Sequence, residues 1–140
     1  MARVLELSDE LGGIALFADL SRPQLEAIAH EFGESWFGQD ERILREGLTG
    51  SGFYVILEGE VAIRAGGRDV AVLARGDFFG EVSVLLGEPP SADVVALRPV
   101  RCLQLAGPAL KSFLLTYPDV MYRILLDQTR RLRTTTHARG

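Results

Sequence analysis

The chain has 140 residues, 47% hydrophobic and 24% charged, with a formal net charge of −4; that balance excludes general disorder and fits one folded domain over residues 1–140. No apolar run reaches the ~18 residues of a membrane span, and the opening Met1-Ala2-Arg3-Val4-Leu5-Glu6 turns acidic too early for a signal peptide. The single Cys102 excludes an intrachain disulfide and a cysteine-built zinc site. A cytoplasmic protein without membrane contact is expected.

Charge is unevenly spread. Residues 123–140 carry five arginines against Asp127, which leaves −8 on residues 1–122. An acidic body argues against broad phosphate-backbone binding, so no direct nucleic acid binding is expected. The basic end could meet an acidic partner, or simply complement the negative pole of a terminal helix.

In chain order, residues 1–34 read as helices. Leu5 to Leu11 forms a short one, and Leu16 to Leu20 a connecting turn. Ser21-Arg22-Pro23-Gln24 then supplies a cap and an early proline for a helix with Leu25, Ile28, Ala29 and Phe32 on one face, stopped by Gly33. Residues 35–106 change to short strands punctuated by glycine. Trp36 and Phe37 are expected to pack near the first strand. Arg42–Glu46 is a strand closed by Gly47, and Phe53–Leu57 meets Glu60–Arg64 across Glu58-Gly59 as a tight hairpin. Gly66-Gly67 turns the chain into Arg68–Leu73, and Asp93–Leu97 and Arg101–Leu105 follow. Such spacing implies a sandwich, barrel or jelly roll. Gly107-Pro108 opens a helix over Ala109–Leu115, and Tyr117-Pro118-Asp119 breaks it. A last helix carries Met121, Ile124, Leu125, Gln128 and Leu132 at helical spacing.

The segment from Arg75 to Ala92 departs from scaffolding. Gly80 permits close backbone approach, Glu81 to Leu86 suits a short helix, and a carboxylate at its first turn would grip sugar hydroxyls better than phosphate. The same residues also suit a plain excursion in which the helix dipole favours an N-terminal glutamate.

Gly76-Asp77-Phe78-Phe79-Gly80-Glu81, with Pro89 and Ser91-Ala92 after it, resembles the phosphate-binding cassette of cyclic nucleotide-binding domains. Ile43-Leu44-Arg45-Glu46-Gly47, Tyr54–Val61, and Tyr117-Pro118-Asp119 leading to Arg130-Arg131-Leu132 extend the resemblance over residues 16–136. It implies a mainly β fold: an eight-stranded jelly-roll β-roll with N-terminal helices and two C-terminal helices, the last closing over the ligand, cyclic AMP or cyclic GMP. No further cofactor, no metal and no catalytic residue is expected.

Carried over by residue, the resemblance gives Glu81 the ribose 2′-hydroxyl. It gives the phosphate to backbone amides at Gly80, Glu81 and the next turn, Val82 and Ser83, and to Ser91, with Phe79 and Ala92 in the same ligand-binding segment. The family's phosphate-pairing arginine falls at Pro90, which offers neither guanidinium nor N–H. Arg75, Arg98 and Arg131 are candidate substitutes. Ile63, Val70 and Leu73 fall where the family presents apolar side chains to the purine; they would equally be core. Thr135 and Thr136 follow Arg131 as the base-contacting polar residues of bacterial regulators do. His30 and His137 are too scattered for a jelly-roll metal centre, and Cys102 reads as a small buried hydrophobe.

Three readings follow: a ligand-sensing regulatory domain with cyclic nucleotide affinity weakened at Pro90; a degenerate domain serving as a dimerisation or interaction unit, with the last helix as the homodimer seam; and the sensor part of a DNA-binding regulator lacking its output domain.

Overall fold

The apolar run Phe53–Leu57 lies at the centre of the architecture because both of its faces are covered. In the computed structural model, which describes residues 2–48 and 52–139 with side chains through Thr134, Phe53, Val55 and Leu57 face a helical layer. Tyr54 and Ile56 face the interior of a β-roll. A strand buried on both sides loses the alternation of polar and apolar residues.

The helical layer begins with α1 (Ala2–Gly12), a 3₁₀ turn (Ala15–Phe17) and α2 (Arg22–Glu31). Ser21 and Gln24 form a reciprocal cap: Ser21 Oγ accepts from the Gln24 amide at 3.3 Å, and Gln24 Oε1 accepts from the Ser21 amide at 2.9 Å. The chain leaves α2 through an extended Phe32, so Gly33 begins the first strand instead of ending the helix.

Eight strands follow: β1 (Gly33–Phe37), β2 (Arg42–Leu44), β3 (Gly52–Glu58), β4 (Glu60–Ala65), β5 (Arg68–Ala74), β6 (Phe78–Phe79), β7 (Asp93–Ala96) and β8 (Val100–Ala106). They form two antiparallel sheets, ordered β1-β8-β3-β6 and β2-β7-β4-β5. The β-roll expected from the sequence is present. The glycine pair at 66–67 makes the β4–β5 hairpin, pairing Ala65 with Arg68.

The expected hairpin at Glu58-Gly59 is not. β3 and β4 belong to different sheets, and Glu58-Gly59 is the corner between them. Gly59 has φ +91°, and a Cβ there would sit 2.3 Å from the Pro99 carbonyl oxygen. A corner this tight against another loop admits only glycine. The short β6 falls inside what the sequence presented as the cassette, and the strand expected over Arg42–Glu46 ends at Leu44.

Between β6 and β7 lies α3 (Glu81–Leu86). After β8, a 3₁₀ turn (Gly107–Ala109), α4 (Leu110–Thr116) and α5 (Pro118–Arg139) complete the fold. Pro118 opens α5, as the sequence implied. The stripe on α5 divides. Ile124, with Val120, is buried in the core shared with Phe17, Ile28 and Phe113, whereas Met121, Leu125 and Leu132 face outward. Phe37 packs edge-on to Tyr54, but its neighbour Trp36 is 65% exposed and fills no core. No helix among the described residues is long and apolar enough to cross a membrane.

Candidate ligand site

The open end of the roll meets α5 at a cavity of about 280 Å³. Its apolar wall comes from Leu44, Ile63, Leu73 and Val94. Leu44 and Val94 are cross-strand partners on β2 and β7, so the wall follows from antiparallel register. The opposite wall is the segment from Phe79 to Ser83 and from Glu88 to Ala92, with Arg131 of α5.

Gly80 positions this second wall. Its φ is +94°, and a Cβ would stand 2.0 Å from the Gly52 carbonyl oxygen, so any side chain would push the cassette off β3. Beneath it, the Phe79 ring stacks on Tyr54 at 4.8 Å and 7°. From this anchored turn α3 begins and drives Glu81 inward.

Glu81 is 3% exposed. The Gln128 Nε2 of α5 donates to its Oε1 at 3.1 Å, while Oε2 is buried without a hydrogen-bond partner among the described residues. Burial raises the carboxyl above the ordinary glutamate value of 4.5, and Asp127 adds to the rise; its own backbone amide, Arg131 and Gln128 oppose it. The amide does so without making a hydrogen bond to Oε2.

The cation supply is thin. Of the three arginines weighed as substitutes for the one that the resemblance expects at position 90, Arg75 donates to the Leu57 carbonyl at 3.1 Å and Arg98 pairs with Glu60 at 3.1 Å, neither of them lining the cavity. Arg131 does line it. Its Nε is 2.9 Å from Asp127 Oδ2, and its guanidinium sits 5.6 Å from the Phe78 ring centre. Pro90 is buried, and its carbonyl accepts from the Gly47 amide at 2.9 Å. It braces the cassette against the loop after β2 and supplies no charge.

Phe79, Gly80, Glu81, Val82, Ser83, Pro90, Ser91, Ala92, Ile63, Leu73 and Arg131 all line this one cavity. Val70 does not: it is 59% exposed. A bulge in the β4–β5 ladder pairs Ile63 with Ala71 and Arg64 with Asp69, leaving Val70 as the extra residue. Val70 is therefore neither purine wall nor core. The side chains of Thr135 and Thr136 lie outside the described residues. Gln128 was missed as a site residue, although a polar side chain within an otherwise apolar helical stripe was the available signal. Cys102 is fully buried in the roll, its thiol pushed up to about 12 by desolvation, and it carries no chemistry here.

A profile of the cyclic nucleotide-binding domain matches residues 34–117, the strands and cassette just described. The chain belongs to that family. It is 28% identical over 116 residues to a cGMP-dependent protein kinase of Toxoplasma gondii, covering 83% of this chain and 12% of the kinase. The chain thus spans a small fraction of the curated relatives it matches. A cyclic nucleotide-binding domain from Methylobacillus flagellatus superposes with a TM-score of 0.79 at 28% identity, over 96% of this chain and 81% of that one. The catabolite activator protein of Thermus thermophilus gives 0.78 at 27% identity, over 88% and 60%.

Proposed function

We propose that this cyclic nucleotide-binding domain is a ligand-sensing regulatory module whose affinity for cyclic nucleotides is weakened at Pro90. The carrying observation is the pairing of a buried Glu81, with one carboxylate oxygen open, and a proline where the family's resemblance calls for a cation. Glu81 would accept from ribose hydroxyls, while Ile63, Leu73 and Val94 would flank the base. Arg131 of α5 lines the cavity and Gln128 of α5 bonds to its Glu81, so a ligand that prefers one placement of the helix would shift its population.

A hydrogen bond to a charged group contributes about 1.5–3 kcal/mol, or roughly 10–150-fold in affinity. Its absence would move a micromolar site to tens or hundreds of micromolar, on the order of that loss. Isothermal titration with cyclic AMP and cyclic GMP tests this. Pro90→Arg should recover about 10–150-fold. Low-micromolar binding by the unmodified domain would show that another group neutralises the phosphate and would refute the weakening.

A second reading, homodimerisation through α5, is favoured by the outward Met121, Tyr122, Leu125 and Leu132. Sedimentation should then give a dimer; a monomer at all accessible concentrations removes this reading.

A further inference from the structure

Granting the reading that this cavity is the ligand site, we infer that its preferred occupant is an uncharged nucleoside, held by Glu81 through the ribose diol, in preference to an anionic cyclic phosphate.

The charges around the cavity point this way. Its described lining carries two carboxylates, Glu81 and the exposed Glu88, against one guanidinium, Arg131. That guanidinium is committed to Asp127 at 2.9 Å and lies 5.6 Å from the Phe78 ring centre. An entering phosphate would bring a further negative charge to a wall already in acidic excess, inside a partly enclosed space where charges are poorly screened. At position 90, the carbonyl anchors Gly47 and the ring has no proton to donate.

The carboxylate itself asks for donors. Oε1 of Glu81 holds a neutral amide from Gln128, and Oε2 holds nothing among the described residues, although the side chain is 97% withdrawn from solvent. A buried carboxylate oxygen without a donor is costly, and a hydroxyl supplies one without adding charge. Two adjacent hydroxyls fit better than one. The first can meet Oε2, and the second can share or replace the amide at Oε1.

The rest of the cavity selects what the diol is attached to. Leu44, Ile63, Leu73 and Val94 make an apolar wall suited to a flat heterocycle, which a free sugar would leave uncovered. A volume of about 280 Å³ sits at the lower edge of small-molecule pockets, roughly 300–1,000 Å³. The nucleoside without its phosphate is the more economical fit.

Isothermal titration of the unmodified 140-residue chain at pH 7 decides the matter without any variant. Adenosine or guanosine should bind at least ~10-fold more tightly than its 3′,5′-cyclic monophosphate, and 2′,3′-dideoxyadenosine should lose at least ~10-fold against adenosine, the low end expected for one charged hydrogen bond. Pro90→Arg should reverse the first ratio. Tighter binding of cyclic AMP than of adenosine would overturn this inference and leave the ligand site standing. Dideoxyadenosine binding as well as adenosine would remove Glu81 as the grip, and ribose binding as tightly as adenosine would remove the base. If neither nucleosides nor cyclic nucleotides bind at millimolar concentration, the inference and the reading of the cavity fall together.

Discussion

Arg101 and Glu81 are both held away from water in this domain, and they are treated in opposite ways. Arg101, on β8, is 12% exposed and is surrounded by acceptors: Glu10 of α1 at 2.6 Å, Glu58 of β3 at 2.6 Å and Glu34 of β1 at 3.3 Å. Arg3 also pairs with Glu34 and ties the start of α1 to the same cluster. Glu81 has one neutral donor and an open oxygen. A satisfied buried charge fixes the relative placement of helix and sheet, while an incompletely satisfied one keeps capacity for something from outside.

Removing the satisfied charge should have the larger effect. Arg101→Met leaves Glu10 and Glu34 facing each other without their common partner, and we expect a loss of about 3 kcal/mol in urea denaturation, the lower end of the range for a broken buried pair because Glu58 keeps its solvent. A loss below about 1 kcal/mol would show the cluster to be ordinary surface pairing.

The same contrast sets opposite pH responses. Glu34 is held below the ordinary 4.5, chiefly by the hydrogen bond from Arg3, so its contribution is present above that value and is lost as pH falls through its lowered folded-state pKa. Glu81 is raised above 4.5 by burial, so its ionisation erodes stability as pH rises from 4.5 through its folded-state pKa. Glu81→Gln should therefore leave stability at pH 7 unchanged or higher by about 1 kcal/mol, and flatten the profile just above pH 4.5. Ligand affinity should fall at least ~10-fold in the same variant. Because a diol bound to the carboxylate favours its ionised form, nucleoside affinity should weaken as pH falls through the raised folded-state pKa of Glu81, read by titration at a series of pH values.

The smallest effect separates two valines on β5 and β7, the strands on either side of β4. Val70→Ser should change stability by no more than about 0.5 kcal/mol and leave affinity untouched, since the side chain is exposed and off the cavity. Val94→Ala, in the apolar wall, should cost about 1–2 kcal/mol by lost burial and weaken binding. Equal affinity losses in both would mean that the β5 bulge is absent in solution.

Much of the fold was legible because it is locally written. Ser21 and Gln24 cap α2 through their own side chains, Gly66-Gly67 makes a hairpin by itself, and Tyr117-Pro118 separates two helices whatever surrounds them. The cassette from Phe79 to Ser83 and from Pro90 to Ala92 is contiguous enough to be recognised in the same way. Glu58-Gly59 misled because the residues of a hairpin and of a corner between sheets are alike; the difference lies in Pro99, forty residues away, whose carbonyl occupies the space beside Gly59. Val70 misled because a bulge shifts which strand residues face inward, and a bulge is a property of the pairing with β4.

The sequence by itself pointed to most of the elements, to the cassette and to a proline at position 90, since each depends on residues adjacent along the chain. Only the tertiary structure decided that Arg131 reaches the cavity while Arg75 and Arg98 do not, that Gln128 of α5 meets Glu81 across forty-seven positions, and that one carboxylate oxygen is left open. Those outcomes depend on how α5 lies against the roll, through Val120 and Ile124 buried on its inner face. A buried charge takes its meaning from the donors that packing brings to it, and packing joins residues that the chain holds far apart.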